Sequence, residues 1–342
     1  MSVLSRLAAA AAVAVALSGC GGGSSGSSGK ADAAHPMELT LAHGLSETHT
    51  VHIAMKNFAR EVEEKTGGRI RIRIFANGQL GNETEQMEQV MAGVISMTKV
   101  SAPMLATYDD AFHAFGLPYV FADTADFYKV MNSPRMYEFF QSTYPDGFVV
   151  LTYYTSGARS FYTPSKAIRE PSDLKGMKIR VMDMKSQTEM VRLMGGTPVA
   201  MAYGDVYTSL QTGVIDGTEN NETALTTGKH GEICKVYSVD QHAMIPDVLL
   251  ISSKVWDRIS DSDRQIIVKA AAASTQAHAR EWDKAVAQAV EEAQDKMGVT
   301  FVRDVDKEAF RKATAPMLKT YSDEYPGVRK MLSLITSIRE GK

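Results

Sequence analysis

Chemistry in a chain of 342 residues needs the right side chains at a spacing that brings them together, and a few arrangements invite that test. Glu47, His49 and His52 cluster at the predicted start of a helix. Two histidines three residues apart can share a metal ion, although the same residues also serve as caps and surface contacts, and no His-rich loop accompanies them. Gly22 to Gly26 matches the Gly-x-Ser-x-Gly pattern of a nucleophile elbow. It lies in a Gly/Ser run that cannot supply the rigid strand-to-helix turn such an elbow requires. Gly29-Lys30 is followed by Ala31, where a phosphate loop needs Ser or Thr. Nothing here predicts an enzyme. Two arginines remain. Within Met177 to Met182, the side chains of Met177, Ile179 and Val181 share one strand face and Arg180 projects from the other. On its own such an arginine reads as solvated. Held in a site, its guanidinium offers two parallel N–H groups to one carboxylate. Arg159, in the Gly-Ala-Arg-Ser segment, reads on its own as a loop residue bonded to backbone carbonyls.

The elements that must position these groups follow from periodicity. After Arg6, the apolar run Leu7 to Leu17 is shorter than the roughly 20 residues needed to cross a bilayer. With Leu17-Ser18-Gly19-Cys20 behind it, it reads as a secretory signal ending in a lipobox, with Cys20 lipidated, or else as ordinary signal cleavage with Cys20 incidental. Gly21 to Gly29 is all Gly and Ser, a flexible tether. With Cys20 lipidated, Cys234 stands alone, so no internal disulfide is expected; a small buried apolar role suits it. A formal net charge of -3 gives no sign of a nucleic-acid partner. About 305 residues follow Pro36, enough for one large or two modest domains. Leu39 to His43 reads as a strand, and Val51, Met55, Phe58 and Val62 mark one face of a helix stopped by Gly67-Gly68. Ile70, Ile72 and Ile74 alternate with arginines as a second strand. Asn82 caps a helix burying Met87, Val90 and Met91. Further strands are predicted at Val149 to Tyr154, Met177 to Met182 and Val248 to Ser252. The rhythm is α/β. From Ser262, with Gln265 as capping partner, an uninterrupted helical pattern runs toward Gly298. At 1.5 Å per residue this is a rod of roughly 50 Å, long enough to lie across two lobes.

Fragments spread along the chain, in order, are Gln79-Leu80-Gly81-Asn82-Glu83, Leu117-Pro118-Tyr119, Gly157-Ala158-Arg159-Ser160-Phe161-Tyr162, Asp173 to Arg180 and Val206 to Asn221. Together they resemble the solute receptors of tripartite ATP-independent periplasmic (TRAP) transporters, the DctP family, from about Met37 to beyond Pro326. The resemblance implies a two-lobed periplasmic binding protein, α/β in class, with a long helix bracing both lobes and a ligand cleft between them that closes by a hinge motion. It implies lobe I at 37–155 and 245–280, and lobe II at 156–244 and 281–338, after a signal peptide at 1–20 and a tether at 21–36. It makes Arg180 the carboxylate-binding residue and Arg159 a second cleft arginine. Asn220 closes over the carboxylate, Tyr203 lines the wall, and Asp183 and His242 belong to the pocket. From lobe I it draws His43, Glu83 and Ser101. Glu83 has two readings: a cleft carboxylate that accepts sugar hydroxyls and repels a second acid group, or a first-turn residue stabilising the helix dipole.

The segments around Arg159, Glu219-Asn220-Asn221, His242 and Pro246-Asp247-Val248-Leu249 look most like receptors for hexuronates such as glucuronate and galacturonate. A C4-dicarboxylate or keto acid is the alternative ligand, with both arginines taking carboxylates; a metal-binding carrier or a ligand sensor is the alternative class. Thr84 after Glu83, and Met182-Asp183-Met184, depart from related receptors and bear on ligand identity alone. The implied partners are the small and large permease subunits. No cofactor is expected, the membrane is met only through the lipid, and the receptor is expected to be a periplasmic monomer.

Overall fold

The computed structural model describes Asp32 and residues 34–342; the signal segment, Cys20 and most of the tether lie outside the described residues. Alternating apolar residues set the first sheet. Its chain order is β1 (Met37–Ala42), α1 (Thr50–Lys65), β2 (Ile70–Phe75), α2 (Glu83–Ala92), β3 (Met97–Ser101), α3 (Thr124–Met131), α4 (Pro134–Gln141) and β4 (Phe148–Tyr154). The chain then crosses to β5 (Arg159–Thr163), β6 (Lys178–Val181), α5 (Lys185–Leu193), β7 (Thr197–Ala200), α6 (Val206–Gln211), β8 (Gly217–Asn220), α7 (Thr223–Thr226) and β9 (Val236–Ala243). It returns as β10 (Asp247–Ser252) and α8 (Ser253–Trp256), and ends with α9 (Asp261–Asp295), β11 (Thr300–Val302), α10 (Lys307–Glu324) and α11 (Pro326–Arg339).

The strands form two sheets, ordered β2-β1-β3-β10-β4 and β11-β9-β5-β8-β6-β7. β10 lies antiparallel between β3 and β4, so the first lobe is completed only after the second has been built. β5 pairs antiparallel with both β8 and β9, whereas β6 runs parallel to β7 and β8. Two lobes therefore share crossing segments at 155–158 and 244–246.

Local signals behave as the periodicity predicts. Val51, Met55, Phe58 and Val62 are fully buried, and Gly67 and Gly68 take left-handed conformations after α1. Asn82 and Glu85 form a reciprocal capping box on α2. The long helix is capped two residues earlier than predicted. Ser260, not Ser262, accepts from the Asp263 N–H, because Ser260 has the extended backbone a cap needs while Ser262 is already helical. The helix α9 has 35 residues and so spans about 52 Å; it packs on α1 and β4 of the first lobe and on α7 of the second. The last two helices also divide between lobes. α10 meets β9 and α5, while α11 meets the Asp110–Gly116 turn, α3 and α4. The sequence division puts all of 281–338 in lobe II; α11 instead covers apolar residues of lobe I. Among the described residues no helix is long and apolar enough to cross a membrane.

Candidate functional site

Parallel strands end in loops whose backbone groups are free, and ligand crevices form beyond their carboxyl ends. Both sheets point such ends at the cleft: β1 and β3 from lobe I, β6, β7 and β8 from lobe II. The cavity there is about 380 Å³, within the 300–1,000 Å³ typical of small-molecule sites. Its walls include His49, Glu83, Lys99, Ser101, Ser156 and Asp247 from one side and Arg159, Arg180, Asp183, Tyr203 and Asn220 from the other.

Arg180 is 2% exposed, so the solvated strand-face reading is excluded. Its Nε and Nη2 donate to the Met201 carbonyl at 3.1 and 2.8 Å. That grip uses one edge of the guanidinium and fixes its direction. The other edge, Nη1 with Nη2, retains a fork of N–H groups toward the cavity. Among the described residues no carboxylate lies within ion-pair distance of Arg180. Burial, with the Arg159 cation nearby, lowers its pKa despite Glu219. A buried cation without a counter-ion is costly unless an anion joins it.

Arg159 is placed beside it but is already paired. Its Nε and Nη2 donate to the Glu219 carboxylate at 2.6 and 2.9 Å, and Nη1 donates to Asn220 Oδ1 at 2.9 Å. Glu219 is fully buried and held at about 2, burial notwithstanding, by Arg159 and His242. His242 stands between Asp240 Oδ2 at 2.6 Å and Glu219 Oε2 at 3.3 Å; although burial opposes the charge, the two carboxylates raise its pKa to about 9. His242 is therefore an imidazolium behind the wall, not a lining residue as the sequence expectation has it, because both ring nitrogens are committed. Asn220 Oδ1 accepts from Arg159 and from the Asn221 N–H, which leaves its amide Nδ2 as the group to meet a ligand.

In lobe I, Glu83 opens α2 and lines the cavity. Its carboxylate accepts from Lys99 Nζ at 3.0 Å and from the Ser101 N–H at 3.1 Å. His43 is moved off the wall. Its Nδ1 accepts from the Leu45 N–H, so the ring proton is on Nε2, which donates to His52 Nδ1 at 2.9 Å. Burial holds His43 near 3. His49, read in the sequence as a cap or surface residue or as a metal ligand, takes the lining place. Its Nδ1 caps α1 by accepting from the Val51 N–H, leaving Nε2–H as donor. With these rings committed, no group of three His, Cys, Asp or Glu among the described residues is placed to hold a metal ion. Cys234 is buried, its thiol pushed up to about 12 by desolvation.

Ser101, Tyr203 and Asp183 line the cavity, as do Thr84, Met182 and Met184 where the sequence departs from related receptors. Sequence reasoning missed Lys99, Asp247, Ser156 and His49 as cleft groups. Lys99 Nζ donates to Asp247 Oδ1 at 2.9 Å as well as to Glu83, and Ser156 Oγ donates to Asp247 Oδ2 at 2.8 Å.

Two lobes, a bracing helix and one buried unpaired cation in the cleft define a binding protein for a small anionic solute. The profile of the DctP family, bacterial extracellular solute-binding proteins of family 7, matches residues 41–324, and the chain belongs to that family. A relative, YiiZ of Salmonella typhimurium, is 38% identical over 280 residues, covering 82% of this chain and 85% of its own. A TRAP periplasmic solute-binding protein from Anaerococcus prevotii with bound D-glucuronate superposes with a TM-score of 0.85 at 33% identity, over 89% of this chain and 98% of that one. Its counterpart from Sulfitobacter with bound β-D-galacturonate gives 0.83 at 32%, over 87% and 99%.

Proposed function

We propose that this chain is an exported receptor that captures a hexuronate such as D-glucuronate or D-galacturonate and delivers it to a TRAP membrane permease, tethered outside the cytoplasm through a lipid on Cys20. The observation that carries the ligand class is the contrast between the two arginines. Among the described residues Arg180 has no carboxylate within ion-pair distance, whereas Arg159 is neutralised by Glu219. The cleft thus has one cation left for a ligand, which suits a monocarboxylate. A dicarboxylate would ask Arg159 to leave a buried partner, and breaking such a pair costs about 3–5 kcal/mol. The bound uronates of the Anaerococcus and Sulfitobacter proteins support the hydroxyl-rich choice.

Calorimetric titration of the purified protein with glucuronate, galacturonate, succinate and glucose tests the reading. Binding of a uronate without glucose is expected. Arg180→Ala should weaken it at least 100-fold, since charge-assisted bonds contribute roughly 1.5–3 kcal/mol each, and Arg180→Lys should fail to restore it because an ammonium cannot copy the fork. Unchanged affinity in Arg180→Ala would sink the assignment.

A further inference from the structure

The lobe I wall carries a group whose role the carboxylate clamp does not explain. Lys99 lies on the middle strand of its sheet, opposite Leu249 of β10, and is only 3% exposed. Burying an ammonium requires paired charge and bonded protons. Asp247, two residues before Leu249 in β10 and opposite Ser101, and Glu83, from the first turn of α2, supply both. An ammonium has three N–H donors; Asp247 and Glu83 take two, and the third is left for the cavity. Asp247 receives Ser156 on its other oxygen, and Glu83 receives the Ser101 N–H. Two carboxylates around one ammonium leave the wall with one excess negative charge, facing the unpaired Arg180 across the cavity.

Accepting the uronate reading, the geometry points to the Lys99–Asp247–Glu83 group as the element that selects the far end of the ligand: it takes a hydroxyl-bearing carbon and rejects a second carboxylate. A hydroxyl suits it because it can accept from the third Lys99 N–H while donating to a carboxylate oxygen of Glu83 or Asp247. A carboxylate can accept from Lys99 but has no proton to donate, and it meets like charge at hydrogen-bonding distance in a site shielded from water. His49, with its proton on Nε2, adds a donor for ring oxygens on the same wall. The excess charge also orients the ligand. A uronate entering reversed would place its carboxylate against Glu83 and Asp247 and leave Arg180 unpaired. Lys99 and Asp247 are thus specificity-determining residues, and Glu83 works through the same charge balance.

The probes are galacturonate and galactarate, which share the configurations of C2 to C5 and differ in the oxidation of C1. Galactonate, open-chain like galactarate but bearing one carboxylate, is the control that separates ring loss from added charge; galactonate binding no better than galactarate would overturn the inference. Titration calorimetry on the full chain should show galacturonate bound at least 100-fold more tightly than galactarate. Glu83→Gln, which cancels the excess charge while keeping shape, should narrow that ratio tenfold or more, and Asp247→Asn should act in the same direction. Equal wild-type affinity for the two acids would overturn the inference while leaving the uronate receptor standing. Absence of binding to any uronate would instead bring down the functional reading beneath it. A variant that still binds galacturonate with the wild-type ratio would reduce the group to a structural ion pair, and the wild-type ratio decides the matter should both variants fail to fold.

Discussion

His242 should make the protein less stable as pH rises through the range where most proteins are indifferent to it. Its imidazole is fully buried between Asp240 and Glu219 and its pKa is raised from the usual 6.5 to about 9. A base whose folded pKa exceeds its unfolded value stabilises the fold fully below the unfolded pKa, and that contribution is lost as pH climbs through the folded one. At about 1.4 kcal/mol per unit, the loss between pH 6 and 9 comes to about 3 kcal/mol. The assay is urea denaturation of the ligand-free protein at intervals across that window, for wild type and for His242→Asn, which keeps a donor toward Asp240 but cannot titrate. The difference between the two proteins should shrink steadily from pH 6 to pH 9. A difference that does not vary with pH would refute the placement of a charged imidazole there. Should the variant not fold, the ring's own titration by nitrogen NMR serves, with a midpoint near 9 expected and one near 6.5 refuting.

The acid side has the opposite sign. His49 and His230 are held near 3 mainly by burial, so the unfolded chain binds protons first and stability falls with pH below 6.5; each ring should contribute about 1 kcal/mol of loss between pH 6 and 5, and a flat denaturation midpoint over that unit would contradict it. Gly327 sits against the Asp110–Gly116 turn, where a Cβ would run into Asp110 Oδ1 and lie 2.6 Å from the Ala111 nitrogen. Gly327→Ala should lower stability by about 2 kcal/mol through overpacking, read as an earlier thermal midpoint, and no change would show that α11 is not seated on lobe I as described.

What the sequence disclosed, and what it hid, divides along contact distance. The strand alternation around Arg180, the apolar stripe of α1 and the capping box at Asn82 are local, so periodicity and cap chemistry reveal them. The burial of Arg180 is not local. It depends on Met201, 21 residues on, and on the lobe opposite. Lys99 in Met-Thr-Lys-Val-Ser resembles any charged residue on a half-exposed strand; only pairing with β10, 148 residues away at Asp247, turns it into a cleft group. His242 was legible as a member of the pocket region through family likeness, but its actual place behind Glu219 depends on three side chains from two strands. His49 was legible as a cap, and α1 uses it so; its place on the cleft wall was not, because a histidine at a helix start gives no sign of what its other nitrogen faces.

The charge layout explains why closure and selectivity belong together. In lobe II the chain Arg159–Glu219–His242–Asp240 alternates in sign and is neutral, and Arg180 beside it supplies a buried positive charge without an ion-pair partner among the described residues, while Asp183 and Asp205 stand exposed at the rim. In lobe I, Lys99 with Asp247 and Glu83 supplies the single unbalanced negative charge. Without a ligand, bringing the walls together strips water from an unpaired guanidinium, and that opposes closure. A monocarboxylate with hydroxyls removes the penalty at both ends: its anion completes Arg180, and its hydroxyl bonds lobe I without adding charge. A neutral sugar leaves Arg180 bare and a diacid crowds Glu83 and Asp247, so neither meets both walls. On the proposed function, ligand choice would be decided at the closing step, by which solute lets the two lobes meet with every buried charge answered.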